Sequence, residues 1–259
     1  MSFLTIDHVS HTYFTKKSAT TALEDIHLEV EEGEFISFLG PSGCGKTTLL
    51  SIIAGIMKPT EGQVILNGKK ISSATPSVGY MLQQDYLFPW KTIEENILIG
   101  LKLLNKLNEN EKKRTFQLLH QMGLENVEKL YPNQLSGGMR QRAALVRTLS
   151  TDPKMLLLDE PFSALDYQTK LKLEDLVFQT LKDFKKTAIL VTHDIGEAIA
   201  MSDRIVLLSK RPGKIAKIFT VPKELRDTSP FKTRQHPTYT SLFDLIWKEL
   251  DQLETNNNN

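Results

Sequence analysis

The stretch GPSGCGKT, residues 40–47, constrains the fold of this chain more than any other feature. It matches the phosphate-loop pattern at every required position and stands between the apolar runs FISFL (35–39) and LLSIIAGIM (49–57). Glycines in such a loop let backbone N–H groups converge on phosphate oxygens, and the start of the following helix adds partial positive charge. We therefore expect Lys46 to reach the outer phosphates of a nucleotide and the Thr47 hydroxyl to bind Mg²⁺. The alternative, a plain glycine-rich turn, is disfavoured because the predicted strand and helix flank the loop correctly.

Composition and charge argue against a membrane-spanning, a secreted or a nucleic-acid-binding protein. With 40% hydrophobic and 24% charged residues among 259, the chain has the make-up of an ordinary globular protein. A net charge of +1 gives no global reason to expect a nucleic-acid partner. No apolar run approaches the length of a membrane span, and the first ten residues lack the pattern of a signal peptide. The single cysteine, Cys44, cannot form an intrachain disulfide, so a cytoplasmic protein is expected.

Apolar patterning in the first third predicts short strands. Three alternating runs separated by polar turns predict an antiparallel β layer: FLTIDHV (3–9), IHLEV (26–30) and FISFL (35–39). QVILNGKKI (63–71) predicts a hairpin that turns at Asn67-Gly68, and VGYMLQ (78–83) predicts a further strand.

The remainder alternates helices with buried strands. Residues 92–150 read as helix, with Phe116, Leu119 and Met122 near helical spacing and Gly123 as a C-terminal cap. Dense apolar runs typical of parallel strands covered on both faces are KMLLLDE (154–160), TAILVTH (187–193) and RIVLLS (204–209). A crossover helix is predicted over 168–184, with Leu173, Val177, Leu181 and Phe184 on one side. An amphipathic helix over 241–253 precedes a polar tail (255–259) that we expect to be disordered. The class is α/β.

Three polar side chains stand at the ends of two of these strands. Asp159 and Glu160 end the first strand and His193 ends the second, so in a parallel sheet they face one crevice. We expect Asp159 to hold Mg²⁺ through water, and Glu160 to act as general base on the water that attacks the γ-phosphate. The alternatives are a helix-capping turn for the two acids and a purely structural role for the histidine.

The ordered set of motifs resembles the ATP-binding subunit of an ATP-binding-cassette (ABC) transporter. The set comprises the phosphate loop, Gln83, LSGGMRQR (135–142), LLLDE (156–160), SALD (163–166) and His193. The resemblance implies a P-loop NTPase fold: a RecA-like core, an antiparallel β subdomain and an α-helical subdomain at about 85–150. It places the cassette at 1–225 and a C-terminal extension with one amphipathic helix and a disordered tail at 226–259.

The resemblance also implies roles for individual residues around ATP and Mg²⁺. Tyr13, or failing it Phe14, would stack on adenine, although an ordinary strand role stays open. Gln83, or its neighbour Gln84, would contact Mg²⁺ and the attacking water, and His193 would hydrogen-bond the γ-phosphate. The nucleotide would be held by Gly40, Pro41, Ser42, Gly43, Cys44, Gly45, Lys46, Thr47 and Thr48. By its position beside helix-start amides, Cys44 could have a lowered pKa and a regulatory role, but a thiol that only fills space is favoured.

In this family the serine–glycine helix start of one subunit covers the ATP of another. Ser136, Gly137 and Gly138 would therefore complete the partner's site in a head-to-tail dimer, with Asp166 at the subunit contact. The residue-level alternative is that Ser136 caps its own helix. Intact motifs on both faces favour a homodimer.

The segment QQDYLFPW (83–90) narrows the resemblance to the importers of nitrate, sulfonates and taurine, a group that includes importers of pyrimidine precursors. Exposed Leu87, Phe88 and Trp90 would suit a groove for a helix of the membrane subunit; alternatively they fill the core of the helical part. The resemblance implies the ATPase of a bacterial importer, located at the cytoplasmic face of the membrane. Its expected direct partners are permease subunits, and it would act indirectly with an extracytoplasmic solute-binding protein. No nucleic-acid partner is expected. Its rivals are the ATPase of an exporter and a soluble cassette protein.

Overall fold

The computed structural model describes residues 2–163 and 165–255. Within them the strands are β1 Leu4–Phe14, β2 Ala19–Val30, β3 Phe35–Leu39, β4 Glu61–Leu66, β5 Lys69–Lys70, β6 Val78–Met81, β7 Met155–Asp159, β8 Thr187–Val191, β9 Arg204–Leu208 and β10 Ile215–Thr220. The α-helices of the same residues are α1 Lys46–Ile53, α2 Ile93–Leu103, α3 Glu109–Gln121, α4 Gly137–Ser150, α5 Tyr167–Asp183, α6 Ile195–Met201, α7 Lys223–Arg226, α8 Pro230–Thr233 and α9 Pro237–Thr255. Of the tail expected to be disordered, Thr255 ends α9, and 256–259 lie outside the described residues.

An antiparallel sheet with the strand order β2-β1-β4-β5 forms one layer. The predicted hairpin is confirmed: Leu66 pairs with Lys69, and φ is 49° at Asn67 and 70° at Gly68. Positive φ at both central residues is what a tight hairpin turn of this hand requires. Strands β1 and β2 run several residues beyond their predicted limits, and bulges interrupt their pairing.

The second sheet has six strands in the order β10-β9-β3-β8-β7-β6, with β10 antiparallel at its edge. The prediction that FISFL belongs to the antiparallel layer was wrong, because β3 lies in this sheet between its parallel neighbours β8 and β9. All five of its residues are buried, with Phe35 in one apolar cluster and Ile36 and Phe38 in another. Covered on both faces, the strand has no solvent-exposed side.

Helix α5 makes the predicted crossover from β7 to β8. Asp166 caps it by accepting a hydrogen bond from the Thr169 N–H at 3.0 Å. Leu173 and Leu181 are buried against the sheet as predicted, but Phe184 is 42% exposed. Phe184 differs because it caps the C-terminus of the helix, where the periodic face has already ended.

Helices α2, α3 and α4 pack on one another beside the β6 edge. Thr92 and Glu95 form a capping box at the start of α2, and Asn108 caps α3. Helix α3 ends at the predicted place, where Gly123 has a φ of 66°. Each helix is therefore delimited by its own side chains or by a glycine.

The last helix packs against the sheet through α6. Ile246 of α9 is buried in a cluster with Ile195 and Ile199 of α6 and with Leu39 of β3. Strand β10 and helix α6 lie in stretches for which the sequence pattern predicted no element. Among the described residues, no helix combines the length and apolarity needed to cross a membrane.

Candidate active site

The phosphate loop joins the end of β3 to the first turn of α1. Gly45, just before the helix, has a φ of 101°, and a Cβ there would lie 2.7 Å from a Leu23 side-chain atom. A left-handed backbone and so close an approach to β2 require glycine. The loop holds Lys46 inward: its Nζ donates to the carbonyls of Gly40 at 2.7 Å and Pro41 at 3.0 Å. The ammonium thus lies within the ring of loop backbone groups.

Cys44 is buried inside the same loop, with Sγ 3.6 Å from Lys46 Nζ. Burial raises the pKa of this thiol, and the nearby Lys46 charge offsets only part of that effect. Of the two alternatives for Cys44, the structure therefore agrees with the space-filling one, because loss of hydration outweighs the loop's positive charge. The thiol stays protonated near neutral pH and packs as a small apolar group.

The carboxylate of Asp159 is nearly buried and meets two hydroxyl groups. Thr47 Oγ1 donates to Asp159 Oδ1, and the Tyr80 hydroxyl donates to Oδ2, both at 3.3 Å. Burial raises the pKa of Asp159, against the effect of these two hydrogen bonds. Burial, with help from the Asp159 charge, raises the pKa of Tyr80 to about 12, so its hydroxyl remains a donor. Tyr80 was missed in the sequence, where it appears only as one residue of a strand.

Glu160, Gln83 and His193 follow three neighbouring parallel strands and lie together. Gln83 Nε2 donates to Glu160 Oε2 at 3.0 Å, and His193 Nδ1 lies 3.4 Å from the same oxygen. Strands β6, β7 and β8 are adjacent, with Asp159 paired to Val191, so their carboxyl ends open on one edge. The Glu160 carboxylate consequently stands between an amide and an imidazole.

The backbone of Glu160 adopts an uncommon conformation. Its φ is 46°, in the left-handed region, while its N–H donates to the Val191 carbonyl at 2.9 Å. Such a conformation in a non-glycine residue costs on the order of 1–3 kcal/mol and concentrates at functional sites. No sequence pattern indicated this backbone conformation.

A cleft of about 220 Å³ joins the phosphate loop to Tyr13, Ala22, Glu160 and Arg211. The Tyr13 hydroxyl lies 3.0 Å from Thr48 Oγ1, and 42% of the residue is exposed. Its ring is thus beside the start of α1 with surface available to a planar group. Phe14 is 73% exposed.

Arg211 is a cation in this cleft that sequence reasoning missed. Its Nη2 donates to the carbonyl of Gly43 at 3.3 Å. Two residues later, Gly213 packs so tightly that a Cβ would lie 2.0 Å from the Cys44 carbonyl oxygen, and its N–H donates to Ala22. The turn signal Pro212-Gly213 was visible in the sequence, but the contact with the phosphate loop was not.

The serine–glycine motif lies elsewhere on the surface. Ser136 Oγ accepts a hydrogen bond from the Met139 N–H at 3.3 Å, so the serine caps its own helix. Gly137 lines a separate cavity with Gln83 and Arg140. A Cβ on Gly138 would lie 3.0 Å from Thr169 Cγ2, a close helix contact. Among the described residues that line the phosphate cleft, none comes from this motif.

The aromatic segment after Gln83 is divided between core and surface. Of the two alternatives that the sequence left open, Leu87 follows the core one, since it is buried in the core that α2 and α4 share. Phe88 is half-buried, and Trp90 is 70% exposed with its ring 5.4 Å from that of Phe88. Asp85 anchors the segment to α4 by accepting from Arg140 Nε at 3.0 Å.

The sequence of this chain is similar to those of known proteins. The chain matches the ABC transporter family over residues 23–163. It is 62% identical over 259 residues to the uncharacterized ABC transporter ATP-binding protein YtlC of Bacillus subtilis, covering all of both chains. The chain belongs to the ABC transporter ATP-binding family. This cassette is therefore a nucleotide-binding ATPase.

Other relatives of the cassette carry transport names. The aliphatic sulfonates import ATP-binding protein SsuB of Bacillus cereus is 44% identical over 216 residues, 83% of this chain and 84% of its own. The taurine import ATP-binding protein TauB of Roseobacter denitrificans is 39% identical over 232 residues, 87% of each. A dimeric, post-hydrolysis structure of the ATP-binding cassette MJ0796 with ADP and Pi superimposes with a TM-score of 0.74 at 32% identity, covering 85% of this chain and 99% of that one.

Proposed function

We propose that this cassette is the energy-coupling ATPase of a bacterial importer for small organic sulfonates. The observation that carries the importer assignment is the 44% identity to an aliphatic sulfonates import subunit over most of both chains. The taurine import relative supports the same class, because taurine is also an alkyl sulfonate. The ATPase itself never contacts the solute in this arrangement, so the solute class rests on the relatives.

Hydrolysis proceeds by attack of water on the γ-phosphorus of ATP. Glu160 accepts the proton of that water while the bond from the γ-phosphorus to the β,γ-bridging oxygen breaks, leaving ADP and inorganic phosphate. Gln83 and His193, at 3.0 Å and 3.4 Å from the Glu160 carboxylate, fix its direction. His193 also donates to the γ-phosphate, and Lys46 with the loop amides neutralises the phosphate charge.

The donor set beside the loop suits Mg²⁺. Thr47, Asp159 and Gln83 offer only oxygen ligands, the type that Mg²⁺ prefers, and Thr47 Oγ1 already lies 3.3 Å from Asp159 Oδ1. When bound, Mg²⁺ draws charge from the β- and γ-phosphates. The Tyr80 hydroxyl donates to Oδ2 of Asp159, and Oδ1 is left to contact Thr47 of the phosphate loop.

Two cassettes act as a head-to-tail homodimer. Ser136, Gly137 and Gly138 start a helix whose free N–H groups suit an anion, and they lie apart from the phosphate cleft of their own chain. In the dimer they cover the γ-phosphate bound by the partner subunit, so each ATP links two chains. The dimeric MJ0796 cassette, bound to ADP and Pi, supports this arrangement. Hydrolysis removes the link and lets the dimer open.

The membrane subunits dock beside Gln83, at the cytoplasmic face of the membrane. Tyr86 (57% exposed) lines a cavity of about 350 Å³ together with Gln84 and Gly137, and Trp90 (70% exposed) lies four residues further along the same segment. Exposed aromatic rings next to a cavity suit the apolar face of an inserted helix. Because Gln83 lines this cavity and also holds Glu160, docking is transmitted to the catalytic carboxylate.

Affinity purification of the tagged cassette from its host membrane tests the importer proposal. We expect two membrane subunits and a solute-binding protein, and we expect the purified binding protein to take up alkyl sulfonates in a ligand screen. An exporter would yield membrane subunits without a binding protein, and a soluble cassette protein would yield neither. A binding protein that prefers another anion or a pyrimidine would overturn the sulfonate assignment and leave the importer assignment standing.

A further inference from the structure

A cluster of imidazole and carboxylate groups lies on the antiparallel sheet, in a part of the cassette that the ATPase chemistry does not use. One ligand atom from each of Asp7, His8 and His27 lies within 4.8 Å of the other two. The two imidazole rings stack with centroids 4.7 Å apart. Two imidazoles and a carboxylate are a ligand set that divalent transition metals favour.

A β-bulge creates this arrangement. Ile6 pairs with Leu28 and Val9 with Ile26, so Asp7 and His8 on β1 together oppose the single residue His27 on β2. In regular pairing, successive side chains point to opposite faces of a sheet. Here φ of His8 is 50°, and both Asp7 and His8 lie on the solvent side while Ile6 and Val9 remain buried. The bulge thus brings two adjacent potential ligands to one face.

Other side chains already hold two of the three groups in position. Gln63 Nε2 donates to Asp7 Oδ2 at 3.1 Å, while Asp7 Oδ1 lies 3.9 Å from His27 Nδ1. His8 Nδ1 lies 2.6 Å from Asp25 Oδ1, which leaves Nε2 of the same ring available. A carboxylate on the far nitrogen of a ligating histidine is the usual way in which proteins orient such a ring.

We propose that Asp7, His8 and His27 form a binding site for a divalent transition metal, such as Zn²⁺, that links β1 to β2. A tetrahedral site needs ligand atoms about 3.3–3.5 Å apart, given metal–ligand distances of about 2.0–2.1 Å. All three side chains are partly exposed on the same face, so small side-chain rotations close the remaining gap without moving the core. A water molecule completes the coordination.

Zn²⁺ titration by calorimetry on the untagged full chain, with ADP and Mg²⁺ filling the nucleotide site, tests this proposal. We expect one Zn²⁺ per chain, at a pH above the ordinary pKa of histidine. His8→Gln and His27→Gln should each weaken binding at least about tenfold, and Asp25→Asn should also weaken it although all three ligands remain. Zn²⁺ should raise the Tm of the wild type but not that of His27→Gln.

His120→Gln is the matched control, since His120 is likewise an exposed histidine paired with one carboxylate, that of Glu128 at 3.1 Å. It should bind Zn²⁺ as the wild type does. The proposal is overturned if the wild type binds Zn²⁺ no more tightly than His27→Gln, or if His120→Gln loses as much affinity as the cluster variants. Thermal melting without metal checks that each variant is folded.

Discussion

Gln83 Nε2 donates a hydrogen bond to Glu160 Oε2 at 3.0 Å, which joins the segment proposed to bind the membrane subunits to the proposed general base. We expect Glu160→Gln to lower kcat for ATP hydrolysis by about 10²- to 10⁴-fold, the usual contribution of a general base. The measurement is steady-state phosphate release. ATP affinity serves as the control and should stay near that of the wild type, because the phosphate loop is intact. A variant that hydrolyses ATP at half the wild-type rate would remove Glu160 from this role.

Arg211 should strengthen nucleotide binding, because it places a cation in the phosphate cleft beside Gly43. A hydrogen bond to a charged group contributes about 1.5–3 kcal/mol, so Arg211→Ala should weaken ATP binding by roughly tenfold or more. Arg211→Lys should recover part of that loss. Fluorescent-nucleotide titration measures the affinity. Lys210→Ala is the control, since the Lys210 ammonium donates instead to the Glu254 carbonyl. If Arg211→Ala and Lys210→Ala lost ATP affinity equally, Arg211 would have no specific role in nucleotide binding.

A buried ion cluster should make the cassette's stability depend on pH. Glu174 of α5 is fully buried, and Arg234 Nη2 lies 2.6 Å from its Oε2. Burial raises the pKa of Glu174 to about 7, because loss of hydration outweighs the Arg234 charge and Glu197 adds repulsion. Lys170, bound to Glu197, faces the same cluster. The folded state thus holds a proton on Glu174 that the unfolded chain has released.

The pKa of Glu174 is higher in the folded state than in the unfolded chain. The stabilisation that protonation of Glu174 gives is therefore fully present below about pH 4.5 and is lost as pH rises toward about 7. Between these two pH values the free energy of unfolding should therefore fall less in Glu174→Gln than in the wild type. Chemical denaturation at several pH values measures it. Glu125→Gln, which changes an exposed glutamate, should keep the wild-type slope. If both variants keep that slope, Glu174 does not titrate in the window.

The exposed aromatic rings beside Gln83 should couple the ATPase to its membrane partners. Trp90→Ala should reduce co-purification with the membrane subunits and abolish uptake, while the isolated cassette should hydrolyse ATP at its wild-type rate. Trp247→Ala is a matched control, because Trp247 is also exposed (56%) and has its ring 6.4 Å from that of Phe243. Normal assembly and uptake by Trp90→Ala would show that the docking surface lies elsewhere.

Sequence patterns predicted the elements that local chemistry determines. Glycine and Asn-Gly favour particular turns because they readily adopt positive φ. These residues predicted the phosphate loop, the Asn67-Gly68 hairpin and the end of α3 at Gly123. The parallel strands were visible because full burial requires continuous apolar runs, and their carboxyl ends carry the acids and His193.

Other features depend on long-range contacts that no local pattern encodes. The strand FISFL was assigned to the wrong sheet, because a five-residue apolar run does not specify its partners. Arg211 reaches a loop almost 170 residues earlier in the chain, and Tyr80 reaches Asp159 from a neighbouring strand. The left-handed backbone of Glu160 is likewise imposed by the sheet edge rather than by its sequence neighbours.

In the proposed dimer each ATP is held by the phosphate loop of one chain and the serine–glycine motif of the other, and mixing two inactive variants tests this shared site. Glu160→Gln and Ser136→Arg should each be almost inactive alone, while both bind ATP. In a mixed dimer, the Ser136→Arg chain supplies an intact Glu160 and phosphate loop, and the Glu160→Gln chain supplies an intact Ser136. One complete site results, so an equimolar mixture should recover roughly a quarter of the wild-type ATPase rate if chains pair at random. A mixture as inactive as either variant alone would contradict the shared site.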